Sequence, residues 1–323
     1  MSRPKPQQVL AGPALQSGLV VGSFGRHCLV ETSEGHRLIC HPRGKKNQAV
    51  VGDQVLWRPT GDEGSIEALQ PRRNLFYRQD EIRTKSFAAN LDRVLVLIAA
   101  EPEFSESQLT RALVAAEAEK IRPVIALNKR DLVEPFARAW ARLAPYRAMG
   151  YTVLPLGLAP RGNSVPEDGL ASLIEQLQGH TTLVLGPSGS GKSTLINCLV
   201  PEAGAQTAEI SQALNSGKHT TTTTRWYWVH ALDTPEQRGA LIDSPGFQEF
   251  GLHHIESARL ADCMPDLRAW LGQCKFYNCT HLHEPGCAVL AQVSEEQGQG
   301  HISVRRHRLY AQLFGKLSQQ RWR

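Results

Sequence analysis

The chain contains no run of eighteen consecutive apolar residues, so no segment is built to cross a bilayer as a helix. Residues 1–17 lack the apolar core of a secretory signal, and export is not expected. Internal repeats and low-complexity tracts are missing. With 41% apolar and 21% charged residues, the composition is neither fibrous nor disordered. A regular, even set of cysteines is missing too. The seven that occur are an odd number, and Cys274, Cys279 and Cys287 crowd among histidines, which points to metal ligation in a reducing compartment rather than to disulfides. The expectation is a cytoplasmic globular chain whose 323 residues suffice for two or three domains.

Acidic residues are absent from 301–323, where six basic ones stand: Arg305, Arg306, Arg308, Lys316, Arg321 and Arg323. The net charge of +5 is modest, so this block matters more than the total. It reads either as a solvated helix or as a surface for nucleic-acid phosphate.

Short alternating runs at 18–21, 27–31, 36–41, 54–59 and 64–69 predict five strands separated by turns. That number and spacing suit a small OB-type barrel over 17–80, after a flexible 1–16. Arg37, Arg43, Lys45 and Lys46 on its loops would suit RNA, although such a barrel can also serve only as a packing module. From residue 90 the texture changes to apolar runs alternating with amphipathic stretches, the pattern of parallel strands joined by helices. Strands are expected at 91–100, 123–127, 151–156, 183–185 and 240–242, a helix at 106–120, and a Gly/Pro-rich loop at 157–169. An α/β domain over 81–252 and a helical, cysteine-bearing region over 253–323 follow from this reading.

Between an apolar strand and a helix opening near Thr194 lies Gly186-Pro187-Ser188-Gly189-Ser190-Gly191-Lys192-Ser193, a full phosphate-binding loop. Its glycines let successive N–H groups point at phosphate oxygens, the helix terminus adds positive potential, and Lys192 reaches the outer phosphates. Ser193 suits a magnesium ligand, and Thr194 completes the set. Asn128-Lys129-Arg130-Asp131 ends a strand and selects the base. Asp131 can accept from the N1–H and N2–H of guanine, which adenine does not offer, while Asn128 braces the loop and Lys129 lays its stem over the ring. Asp243-Ser244-Pro245-Gly246 follows another strand. There Asp243 can hold magnesium through water, and the Gly246 N–H can sense a third phosphate. Gly217 to Arg225 contains five consecutive threonines suited to a loop that orders around magnesium, with Thr221 the favoured ligand. Cys274, Cys279, His281 and Cys287 offer three thiolates and an imidazole, the donor set of a closed structural zinc site, with His283 the alternative histidine.

The order of these elements is unusual, because the base-selecting motif precedes the phosphate loop, which precedes Thr221 and Asp243. The sequence thus resembles a circularly permuted P-loop GTPase. With the N-terminal barrel, Ala89-Asn90-Leu91-Asp92 at the domain entry, Gly217-Lys218-His219-Thr220-Thr221-Thr222 and the cysteine cluster, it is similar to the ribosome small-subunit-dependent GTPase family (RsgA/YjeQ). The resemblance implies GTP and GDP as ligands, Mg2+ and one structural Zn2+ as cofactors, and the small (30S) ribosomal subunit with its rRNA as partner. It implies a role in late maturation of that subunit, with hydrolysis stimulated by it. Nothing in the sequence demands a dimer, and a monomer is expected.

Two departures stand out. The position after Gly246, where many GTPases carry a water-orienting glutamine, is Phe247. The resemblance moves that role to His219, with Gln248 or a group from the partner as competitors. The Ser-Ala loop that would touch the guanine oxygen reads Pro155-Leu156-Gly157-Leu158-Ala159, leaving backbone N–H groups for the contact. An RNA-binding module with a slow nucleotide latch, and a P-loop small-molecule kinase, are the alternative functions.

Overall fold

The computed structural model describes residues 14–25, 27–43, 48–79, 84–158, 167–203, 224–229, 238–244, 251–294 and 301–319, the side chains of 167 and 168 excepted. His219, Thr221, Gly246, Phe247 and Gln248 lie outside these residues, as do Lys45, Lys46, Arg321 and Arg323. The chain divides into two compact units, Met1–Arg72 and Arg73–Arg323.

The first unit is the five-stranded barrel: β1 (Gln16–Phe24), β2 (His27–Thr32), β3 (Arg37–Pro42), β4 (Gln54–Thr60) and β5 (Glu63–Leu69). β1 pairs with both β2 and β4, β2 with β3, β3 in parallel with β5, and β5 with β4, so the sheet closes on itself. Closure follows from alternation. Val20, Cys28, Val30, Cys40, Val55, Trp57 and Ile66 point inward and form one core. A side chain at Gly18 would overlap Val30, and one at Gly64 would overlap Cys40 and Trp57. The buried Asp53 carboxylate accepts from Arg72 Nε at 2.7 Å and from the Val50 N–H at 2.8 Å. Losing Arg72 would leave that charge unpaired, a defect of about 3–5 kcal/mol.

The second unit starts before residue 80, where the barrel was expected to end. β6 (Leu75–Gln79) belongs to it as one arm of a hairpin with β7 (Thr84–Ala89). The remaining elements alternate: β8 (Arg93–Ala99), α1 (Glu106–Ala118), β9 (Arg122–Asn128), α2 (Val133–Arg142), α3 (Ala144–Ala148), β10 (Thr152–Pro155), α4 (Glu167–Leu177), β11 (Thr181–Leu185), α5 (Lys192–Leu199), β12 (Arg225–Trp228) and β13 (Ala240–Asp243). They build a sheet of order β10-β9-β8-β11-β13-β12, parallel except for β12. β8 is buried along its whole length because helices cover both faces of a parallel sheet. Strand order reverses between β8 and β11, the kind of place where open α/β sheets bind ligands at the carboxyl ends of their strands.

The Ala89-Asn90-Leu91-Asp92 motif welds the entry. Asn90 Oδ1 accepts from the Arg73 N–H and Asp92 Oδ2 from the Thr181 N–H, each at 2.8 Å, which fixes β8 beside β11.

Residues beyond 253 are built into the same unit through α6 (Pro265–Arg268) and α7 (Val304–Ser318). Ser303 caps α7 by accepting from the Arg306 N–H. Arg306 is buried and donates to both oxygens of Asp266, at 2.8 and 3.1 Å, and to Thr110 Oγ1 on α1 at 3.0 Å. Glu106 is shared by Arg142 at 3.1 Å and Arg305 at 2.8 Å. Arg306 is therefore buried inside the fold, whereas Arg305 stays exposed while paired with Glu106, and Arg308 and Lys316 are exposed too.

Candidate functional site

The phosphate loop follows β11 directly, and α5 begins at Lys192, slightly earlier than the sequence suggests. This start aims the free N–H groups of the first helical turn at the loop's concavity. Gly191 caps the helix at φ 101°, a left-handed conformation that glycine adopts without strain, and a side chain there would overlap the Asn128 amide. A side chain at Gly186 would overlap the Leu97 carbonyl of β8. Lys192 donates to the Gly186 carbonyl at 2.5 Å and the Pro187 carbonyl at 3.2 Å, folding its ammonium across the loop. Burial holds its pKa below the ordinary lysine range. Ser188, Gly189 and Ser193 are exposed at the mouth, Pro187 and Thr194 are half-buried, and the Ser190 hydroxyl is buried with no hydrogen-bond partner among the described residues.

The Asn128-Lys129-Arg130-Asp131 motif stands at the end of β9. Asn128 is buried and ties three loops: its Nδ2 donates to the Ser190 carbonyl at 2.9 Å, and its Oδ1 accepts from the Leu158 N–H at 3.0 Å. Lys129 turns the chain at φ 69°, and the Arg130 N–H donates to the Leu156 carbonyl at 3.0 Å. The turn leaves Arg130 and Asp131 exposed and Lys129 half-buried. The Leu158 N–H is spent on Asn128, so the segment without the usual Ser-Ala serves as a brace.

Asp243 ends β13, on the strand adjacent to β11, and the Ser244 hydroxyl donates to the Val184 carbonyl at 3.0 Å. Burial raises the Asp243 pKa, while the charges of Lys192 and Arg225 oppose that shift. Arg225, buried and directly opposite Asp243 on β12, was not singled out from the sequence. Its signal was a lone cation heading the aromatic run Trp226-Tyr227-Trp228. The three motifs thus meet on one edge of the sheet.

A second cluster lies at 274–287. The four donor atoms of Cys274, Cys279, His281 and Cys287 lie within 4.8 Å of one another, and His281 Nδ1 is 3.5 Å from Cys274 Sγ and 3.4 Å from Cys287 Sγ. Converging sulfurs and one ring nitrogen are a soft set of four, which fits a zinc ion. N–H groups of Ala288 and Leu290 point at two of the sulfurs, as they would at thiolates. Burial lowers the His281 pKa, favouring the neutral ring that a ligand must be. α7 braces the loop from behind: His307 bonds the His281 carbonyl at 2.7 Å, and Tyr310 donates to the Thr280 carbonyl at 2.8 Å.

No helix among the described residues is long and apolar enough to cross a membrane. The family model for RsgA GTPase matches residues 69–253. "Small ribosomal subunit biogenesis GTPase RsgA" of Variovorax paradoxus (strain S110) is 66% identical over 95% of this chain and 94% of its own length. Among solved structures, YloQ, described as a circularly permuted GTPase, superposes with a TM-score of 0.68 at 26% identity, covering 99% of this chain and 100% of its own. YjeQ from Thermotoga maritima gives 0.68 at 28% identity, with 94% and 99% covered. With a nucleotide-site architecture in permuted order and a family model that covers more than half of its length, the chain belongs to the RsgA GTPase family.

Proposed function

We propose that this GTPase hydrolyses GTP to GDP and phosphate during late maturation of the small ribosomal subunit, and that the subunit and its rRNA stimulate the reaction. The observation that carries the catalytic part is the convergence of Asn128, the phosphate loop and Asp243 on one sheet edge, with Asn128 hydrogen-bonded to Ser190. Membership of the RsgA GTPase family supports hydrolysis, and the name of the Variovorax relative supports the ribosomal role.

In this reading Asp131 accepts from guanine, and Lys129 and Arg130 border the base. Gly186 to Thr194 cradle the phosphates, with Lys192 leaving its loop carbonyls for the outer phosphates. Ser193, Thr221 and Asp243 would hold Mg2+, which neutralises charge developing on the phosphates. Gly246 senses the third phosphate, and His219 orients the attacking water. Cys274, Cys279, His281 and Cys287 would hold one zinc ion that shapes the C-terminal region and leaves no place for a reacting water. The protein works as a cytoplasmic monomer between encounters with the subunit.

The test is phosphate release from GTP and from ATP, with and without purified small subunits, with Lys192→Ala as the blank. GTP-selective release stimulated by the subunit is expected. Intact basal GTP hydrolysis without stimulation would overturn the ribosomal part, and transfer of phosphate to an acceptor would overturn hydrolysis itself.

A further inference from the structure

Within the first unit, one rim of the barrel gathers two imidazoles and a carboxylate. His27 opens β2, and His41 lies near the end of β3, one step beyond the paired Cys28 and Cys40. Glu63 opens β5, which runs parallel to β3. His27 Nδ1 is 3.1 Å from His41 Nδ1, with the rings nearly perpendicular at 80°. On its other side, His41 Nε2 is 2.6 Å from Glu63 Oε2.

A carboxylate oxygen only accepts, so His41 Nε2 carries a proton and donates it to Glu63. In the neutral ring that leaves a lone pair on Nδ1, which accepts from the Nδ1–H of His27 at 3.1 Å; a metal ion takes the place of that proton, which moves to His27 Nε2 or to solvent. The carboxylate fixes both tautomer and ring orientation, the arrangement in which an acid hydrogen-bonded to the far nitrogen supports a metal-bound histidine. Two nitrogens 3.1 Å apart, each about 2.0–2.1 Å from one ion, subtend an angle of about 100° there, between octahedral and tetrahedral values.

We propose that His27 and His41 form a binding site for a divalent transition metal of the imidazole-preferring group, such as Zn2+, with Glu63 as the positioning residue behind His41. Half-exposure of His41 and Glu63 leaves solvent to complete the coordination. The ion pins the end of β3 to the start of β2, and Glu63 carries that tether to β5. The site belongs to the barrel and shares no residue with the cysteine cluster.

The test uses the full-length chain carrying its structural zinc, with content fixed by elemental analysis, titrated with Zn2+ in a calorimeter. A second equivalent is expected in the wild type and is lost in His27→Gln and His41→Gln, while the first equivalent stays. Glu63→Gln should weaken the second equivalent about 10- to 100-fold. A wild type that stops at one equivalent, or a second equivalent that survives the double histidine substitution, would overturn the proposal. Should a variant fold poorly, imidazole nitrogen NMR of the wild type decides. Zn2+ must shift Nδ1 of both His27 and His41, and unmoved resonances reject the site.

Discussion

Asn128 Nδ2 donates to the Ser190 carbonyl at 2.9 Å, across 62 positions of sequence, and so latches the turn at 128–131 to the glycine-rich loop at 186–193. The same side chain accepts from the Leu158 N–H, so one buried amide sets the spacing of three loops.

Removing that amide should be felt both in the fold and in nucleotide binding. In Asn128→Ala the Ser190 carbonyl and the Leu158 N–H lose their partner, at a cost of about 2 kcal/mol. Titration with a fluorescent GDP analogue should then show roughly thirtyfold weaker affinity. Unchanged affinity would mean that the loops hold their spacing without the latch.

Arg306 and Asp266 form a buried ion pair braced by Thr110 and by the Tyr146 ring, 5.4 Å from the guanidinium. Arg306→Met strands the Asp266 carboxylate and should cost about 3–5 kcal/mol in urea unfolding. Asp266→Leu in the same background removes the stranded charge and should recover much of the loss. Equal stability of the single and double variants would show that charge burial is not the cause.

His254 gives acid sensitivity a specific source. Its ring lies 4.3 Å from that of Tyr77, neither nitrogen has a hydrogen-bond partner among the described residues, and burial, helped by His253, pushes its pKa down to about 4. An unfolded histidine titrates near pH 6.5, so below about that value the unfolded chain takes a proton that the folded chain refuses. Stability therefore falls as pH drops from about 6.5 towards about 4. His254→Phe should flatten this limb, read as the difference in urea midpoint between pH 7.5 and pH 5. Parallel profiles for the two proteins would assign the acid limb to other groups.

Chelation tests the cysteine cluster. Stripping metal should lower the melting temperature by about 10 °C and release backbone amides of 274–290 to hydrogen exchange, with recovery on adding Zn2+. The His307 and Tyr310 contacts to this loop predict that α7 loosens with it. A metal-free protein with the same melting temperature would rule out a structural ion.

Much was legible because it is local. The five barrel strands follow from alternation within each run, and β8 and α1 from apolar period and length. The phosphate loop, Asn128 to Asp131 and the cysteine spacing are chemistry written within a few residues of each other. The hairpin of β6 and β7 was not read, since neither arm announces its partner. Arg225 gave only a faint signal, because its meaning depends on which strand lies opposite.

The basic block draws the line most clearly. As composition, Arg305, Arg306 and Arg308 are equivalent cations on a helix, and the sequence alone determined that the helix exists and is positively charged. Only the tertiary structure decided that Arg306 is buried on Asp266 and Arg305 is held by Glu106 while Arg308 faces solvent. The physical reason is range: helix period and turn chemistry act over a few residues, whereas a buried charge needs a counter-charge that folding alone brings from forty positions away.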